Sequence, residues 1–215
     1  MNSSRVVLLH GLGRNKCIMQ PLEKHLVAEG YNVYNDDYVS RQYSVEDCAE
    51  QIYRRIHSYF AIDKQSLHFV GHSLGGIIIR YLLAHFSFSN VGRVILIGTP
   101  NQGTPIVDFL RHFPWYRWTY GPAGQQLGTG KDSIIHQLPK RANFECGIIA
   151  GNRTVDPWFS WTLLPGPNDG KVTVESTKLD GMQDFQMVPV AHPHLPKRLS
   201  VIQLVSCFLK TGRFH

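Results

Sequence analysis

Residues 67–83 restrict the fold of this chain more than any other stretch. Leu67-His68-Phe69-Val70 leads into Gly71-His72-Ser73-Leu74-Gly75-Gly76, and a second apolar run, Ile77-Ile78-Ile79 through Leu83, follows at once. The first run alternates, contains Phe and Val and reads as a buried strand; the second reads as a helix packed on a sheet. No ordinary loop fits between them. A strand turning this sharply into a helix forces its central residue into a strained backbone, and small residues two before and two after it relieve the clash. Gly71, Ser73 and Gly75 fill that G-x-S-x-G pattern, with Gly76 as further relief. The five-residue pattern alone is common, and the strand before and helix after are what give it meaning. The turn predicts a Ser73 hydroxyl raised above the sheet edge. It also puts the Leu74 N–H at a helix N-terminus, where developing negative charge is stabilised.

The remaining pattern supplies a sheet for this turn. Val6-Val7-Leu8-Leu9 is a continuous apolar run of the kind found in central parallel strands. It ends in His10-Gly11-Leu12-Gly13-Arg14. This turn lacks the Lys-Ser/Thr of a phosphate loop and a complete G-x-G-x-x-G. It reads as a loop whose Leu12 N–H is a second donor beside that of Leu74. Apolar spacing predicts a helix over 18–29, a strand at Tyr31–Tyr34, and a helix capped by Ser44 and running to about Phe60. Strands follow at Arg93–Gly98, Phe144–Gly151 and Gln186–Ala191, and a closing helix at Leu199–Leu209. Strands alternating with helices at this spacing predict an α/β fold with a mostly parallel sheet and helices on both faces. Sites in such sheets lie beyond the carboxyl ends of the strands, where Leu12, Ser73 and the Thr99–Thr104 loop all fall.

Residues 105–141 break the rhythm. A short helix fits Pro105–Phe113, an aromatic cluster follows at Pro114–Tyr120, and Gly121–Gly128 is turn-like. An insertion of this size beside the site edge reads as a cap or lid. Phe109, Trp115 and Trp118 are expected to border an apolar pocket, joined by Trp158 from a second aromatic loop at Asp156–Trp161. The alternative is that these aromatics pack the insertion onto the sheet.

At 215 residues, 43% hydrophobic and 18% charged, the chain suits one ordinary globular domain, 1–215. The net charge of +6 is spread without a dense Lys/Arg run, a basic helical face or a nucleic-acid motif, so a mildly basic solvated surface is expected and nucleic acid is not; the charge leaves room for peripheral contact with a lipid surface, but nothing in the sequence locates a face for it. Cys17, Cys48, Cys146 and Cys207 have neither C-x-x-C nor zinc-ligand spacing, so neither a metal nor a disulfide framework is expected. Scattered thiols, an N-terminus that enters a strand by Arg5, and no apolar stretch of spanning length lead to an expectation of a cytoplasmic protein without a transmembrane segment.

A serine hydroxyl becomes a useful nucleophile when a neutral imidazole accepts its proton, and the imidazole needs a carboxylate on its other nitrogen. His192 and His194 both follow the last strand. Asp156, Asp169, Glu175 and Asp184 are the candidate acids, and spacing leaves the choice open. His10 and His72, which flank the glycine turns, read as structural.

The segments His10-Gly11-Leu12-Gly13, Gly71-His72-Ser73-Leu74-Gly75-Gly76 and Gly98-Thr99-Pro100-Asn101-Gln102-Gly103-Thr104 resemble α/β-hydrolases of the lipase and esterase type, with small bacterial lipase-like hydrolases the nearest likeness. Pro165–Val172 resembles the loop that carries the acid in that group, and Met187–His192 resembles the strand end that carries its histidine. The resemblance spans residues 5 to 210. It implies the α/β-hydrolase fold and a Ser73–His192–Asp169 triad in the chain order Ser, Asp, His. It further implies hydrolysis of small-molecule or lipid esters through an acyl-enzyme, without metal or organic cofactor. Two other functions share these residues: a thioesterase or acyltransferase on the same triad, and a binding module that kept the fold without catalysis.

Overall fold

The computed structural model describes residues 4–60, 65–155 and 157–215. Among these, six strands form one wholly parallel sheet: β1 (Arg5–Leu9), β2 (Asn32–Asn35), β3 (Leu67–His72), β4 (Val91–Ile97), β5 (Cys146–Gly151) and β6 (Asp184–Val188). Their order in space is β2-β1-β3-β4-β5-β6. The chain therefore moves outward from β1 to β2, then reverses and adds β3 on the other side of β1. That reversal opens a crevice between the carboxyl ends of β1 and β3, and register pairing sets Leu9 against Gly71 and His72 against Ile97 at this edge.

Alternation along the central strands divides the core between two faces. Val6 and Leu8 face α1 (Gln20–Ala28) and the closing helix, α8 (Leu199–Thr211), joining Leu22, Leu26, Val201, Val205 and Phe208. Val7 and Leu9 face α2 (Val45–Tyr59) and α3 (Leu74–His85), joining Ala49, Ile52, Ile56, Ile77 and Ile78. Each fully buried Leu or Ile here contributes roughly 1.5–3 kcal/mol. The start of α2 has its expected cap: Ser44 Oγ accepts from the Asp47 N–H at 3.1 Å, and the Asp47 carboxylate accepts from the Ser44 N–H.

The structure departs from the expected pattern in three places. The aromatic cluster at Pro114–Tyr120 and the first part of the turn-like Gly121–Gly128 are helical: after α4 (Pro105–Leu110) comes α5 (Pro114–Gln125), kinked at Gly121, and the turn is kept at that kink and at 126–128. Gly121 has φ 60°, and a Cβ there would sit 1.7 Å from the Arg41 carbonyl, so only glycine lets the helix pass that strand-following loop. The aromatic stretch near Trp158 is a short helix, α6 (Pro157–Thr162), rather than a loop. The last strand is shifted towards the N-terminus, ending at Val188, because Pro189 has no N–H to continue the ladder. The remaining described α-helix, α7 (Val174–Thr177), is a single turn capped by Thr173. None of the described helices is long and apolar enough to cross a membrane.

The crossing of α3 over β1 depends on glycine for space. A Cβ on Gly75 would lie 2.3 Å from the Leu9 carbonyl oxygen and 2.7 Å from that of His10. Both obstacles are backbone, so neither moves cheaply. Gly75→Ala is expected to destabilise the fold by about 3 kcal/mol or more, read as a lower midpoint in urea unfolding of the variant against the parent protein.

Candidate active site

Ser73 is the only described non-glycine residue with positive φ, at φ 55° and ψ −121°. It joins β3 to α3 with no intervening residue, and the strain is held by the Ser73 N–H donating to Ile97 O at 2.9 Å and the Gly76 N–H donating to Ser73 O at 3.0 Å. Leu74 opens α3, so its N–H has no intrahelical acceptor.

Two distant loops meet Ser73. His192 lies just beyond β6, at the start of a 3₁₀ turn, His192–Lys197. Its Nε2 is 3.0 Å from Ser73 Oγ, and its Nδ1 is 2.6 Å from Asp169 Oδ2. Asp169 is buried, and its other oxygen accepts from the N–H groups of Lys171 at 3.0 Å and Val172 at 2.8 Å. The His192 N–H donates back to the Asp169 carbonyl at 3.0 Å, which locks the two loops together. With its Nδ1–H donated to a carboxylate, the imidazole is left with Nε2 as an acceptor towards the serine hydroxyl.

The rival residues lie elsewhere. His194 is exposed. Glu175 pairs with Lys178 at 2.8 Å, and Asp184 accepts from the N–H groups of Phe185 and Phe214. Asp156 lies outside the described residues. Cys48 and Cys146 are buried packing residues whose thiols burial pushes up to about 12, which removes them as nucleophiles. Among the described residues no group of three or more His, Cys, Asp or Glu side chains is placed to hold a metal ion.

The two glycine-flanking histidines are structural members of the site. His72 is buried, its Nε2–H donates to the His192 carbonyl at 3.1 Å, and the two rings lie 4.8 Å apart. Burial, followed by the neighbouring His192, lowers its proton affinity well below the ordinary imidazole value. His10 donates from Nδ1 to the Gly11 carbonyl at 2.9 Å and stacks on Tyr38 at 4.1 Å, and burial lowers its proton affinity too. The Tyr38 hydroxyl donates to His10 O, and Gly13 N–H donates to Ser40 Oγ at 3.0 Å, so the Leu12 turn is held from outside by the loop after β2.

A cavity of about 160 Å³ opens at Ser73 and His192. Its apolar wall is Leu12, Ile106, Val107, Leu110, Tyr116, Tyr120, Leu127 and Val172, with Arg14 and Lys171 as the charged lining. Phe109, Trp115, Trp118 and Trp158, expected to border it, are absent from this lining and project to solvent. Helical geometry explains the exchange: Tyr116 and Tyr120 are one turn apart on the inner side of α5, and Trp115 and Trp118 share the outer side. The i, i+4 tyrosine spacing was the available signal, hidden because the whole stretch is aromatic. The 105–141 insertion is also tied down. Gln126 accepts from the Val45 N–H at 2.8 Å and donates to Glu46, and Thr104 Oγ1 donates to Lys171 O at 2.8 Å.

A parallel sheet with this strand order, a strained serine between β3 and α3, and an acid and a histidine on the later loops define the α/β-hydrolase fold. Solved structures agree. The mature form of the lipase BlEst2 from Bacillus licheniformis is 21% identical, with a TM-score of 0.75 over 98% of this chain and 92% of that one. The phospholipase PlaB from Legionella pneumophila is 19% identical, with a TM-score of 0.67 over 82% of this chain and 46% of that one. An extracellular α/β-hydrolase from a Paenibacillus species is 13% identical, with a TM-score of 0.63 over 95% of this chain and 98% of that one. No curated protein sequence matches at a significant level. Residues 5–138 match the family model described as palmitoyl protein thioesterase, and the chain belongs to that family. It is an ester-cleaving hydrolase at that level of description. The match covers the Leu12 turn, Ser73 and most of the 105–141 insertion, and ends before Asp169 and His192.

Buried neutral histidines make the fold acid-sensitive. Their proton affinities are lower in the folded than in the unfolded chain, so the unfolded chain binds more protons as pH falls below about 6.5. Stability is expected to be full above that pH and to decline on acidification, by up to about 1.4 kcal/mol per pH unit for each such group. His72→Gln, which keeps an N–H donor for the His192 carbonyl, is expected to flatten the decline between pH 7 and pH 5, measured by urea unfolding at each pH.

Proposed function

We propose that this protein is a serine hydrolase that cleaves carboxylic esters of apolar acyl groups through an acyl-enzyme on Ser73. The observation that supports this reading is the continuous hydrogen-bonded line from Ser73 Oγ through both nitrogens of His192 to the Asp169 carboxylate. His192 Nε2 takes the hydroxyl proton as Oγ attacks the acyl carbon, and Asp169 keeps the imidazole in the required tautomer and stabilises its cation. The oxyanion that forms accepts hydrogen bonds from the Leu12 and Leu74 N–H groups. Collapse of this intermediate expels the alcohol, which takes the proton from His192. Water then enters by the same steps and releases the acid and free Ser73.

The apolar cavity beside Ser73 takes the acyl chain, and Arg14 and Lys171 face the more polar part of the substrate. In this reading the chain works as one domain, with 105–141 as the cap over that cavity. A second reading, thioester cleavage, is favoured by the family to which the chain belongs. The acyl-enzyme is the same, and a thiol leaves with less help from His192 because its pKa of about 8.5 is far below that of an alcohol.

Fluorophosphonate labelling tests the nucleophile directly. Stoichiometric labelling at Ser73 is expected, lost in Ser73→Ala and in His192→Ala; labelling that survives Ser73→Ala overturns the reading. Asp169→Asn is expected to lower kcat by about ten-thousandfold on esters with little change in KM. Paired esters and thioesters of one acyl chain, followed in steady-state assays, decide between the two leaving groups.

A further inference from the structure

The chain has four tryptophans, and all four lie on two short helices beside the site. Trp115 and Trp118 on α5 are 53% and 89% exposed, and Trp158 and Trp161 on α6 are 72% and 85% exposed. Tryptophan is ordinarily among the more buried side chains, so a protein that leaves every one of its tryptophans in water has a use for that surface. Helix α5 turns its tyrosines into the cavity and its tryptophans outward. Helix α6 leans on the loop that carries Asp169, through Ser160 Oγ donating to Asn168 Oδ1 at 2.8 Å. Helix α5 thus borders the cavity, and α6 is joined to the loop that supplies Lys171 and Val172 to its lining. Half-exposed Phe113 extends the α5 patch, its ring 6.3 Å from that of Trp115.

Between Phe109 and Lys131 the fixed charges are Arg111, Arg117 and Lys131, all positive, and the stretch from Pro157 to Asn168 carries none. No Asp or Glu occurs between Phe109 and Lys131, or between Pro157 and Asn168. Arg117 stands exposed between Trp115 and Trp118, no described carboxylate pairs with it, and exposed Arg14 lies at the cavity. Amphipathic indole rings flanked by arginine, without carboxylates, suit the boundary between lipid headgroups and acyl chains. A negatively charged surface adds attraction that falls off within a Debye length.

We propose that α5 and α6 form a docking face for an anionic lipid surface, with the tryptophans at headgroup depth and Arg117 against the lipid phosphates. Docking there sets the cavity opening at the lipid, so that an acyl chain reaches Ser73 without crossing water. The proposal goes beyond the ester-cleaving reading and does not require it, since docking is read without turnover.

The test uses the full chain carrying Ser73→Ala, mixed with vesicles of phosphatidylcholine alone or with phosphatidylglycerol. Cosedimentation with the phosphatidylglycerol vesicles is expected, with a shift of tryptophan emission to shorter wavelength and weaker binding at high salt. Adding Trp118→Ala and Trp161→Ala is expected to weaken binding by about tenfold or more. The same double substitution on the Ser73 background is expected to leave turnover of a soluble short-chain ester unchanged, which also reports intact folding. Failure to bind the anionic vesicles, or equal binding to phosphatidylcholine alone, overturns the proposal. So does self-association in light scattering that the double substitution abolishes, which would assign the face to a second copy of the chain. Absence of ester turnover in the parent protein with vesicle binding intact would count against the hydrolase mechanism and leave the docking face standing.

Discussion

The left-handed backbone at Ser73 is the constraint on which the rest of this site depends. Such a conformation costs a non-glycine residue of order 1–3 kcal/mol and persists only where its surroundings over-determine it. Here β4 holds the Ser73 N–H, the first turn of α3 holds its carbonyl, and the β1 backbone runs directly beneath Gly75. The sheet order is what brings these three together, since β1 and β4 are the two neighbours of β3. In return the serine side chain stands at the cavity, at the N-terminus of α3.

Around that fixed point the structure spends backbone hydrogen bonds to hold flexible loops. Asp169 and His192 sit 23 residues apart and join through both main chain and side chain, so neither loop moves alone. His72 adds a third tie by holding the His192 carbonyl from below. Because His72 is buried and neutral, it fixes the loop without placing a second cation beside the imidazole that would become charged in the proposed mechanism. The Leu12 turn is treated in the same way, pinned by His10, Tyr38 and Ser40. The proposed chemistry thus rests on groups positioned before substrate arrives, which is where electrostatic stabilisation is most effective.

The 105–141 insertion resolves one aromatic sequence into two surfaces. Helix α5 places Tyr116 and Tyr120 over the cavity and Trp115 and Trp118 in solvent, and its hydrogen bonds through Gln126 hold it to the start of α2. Gly121 allows the kink that lets this helix pass the Arg41 backbone. The same segment therefore builds the wall of an apolar cavity and leaves an exposed aromatic face beside it.

How much of this was legible in the sequence depended on the range of the interaction involved. Local patterns determined the central strands, the Ser44 cap of α2 and the sharp turn at Ser73, because apolar periodicity, capping chemistry and glycine spacing act within a few residues. They also placed Leu12 and Leu74 just beyond the ends of β1 and β3, where the structure has them. The choice of Asp169 over Glu175 and Asp184, and of His192 over His194, needed resemblance, because an Asn-Asp-Gly turn and a histidine after a strand are locally ordinary. Only the tertiary structure decided which way the aromatics face, since Trp115, Tyr116 and Trp118 are equivalent to any hydropathy pattern and are told apart by what packs beneath α5. It alone brought Ser73 Oγ, His192 and Asp169 within hydrogen-bonding distance, because that juxtaposition is a property of strand order, and strand order is settled by long-range packing of the sheet.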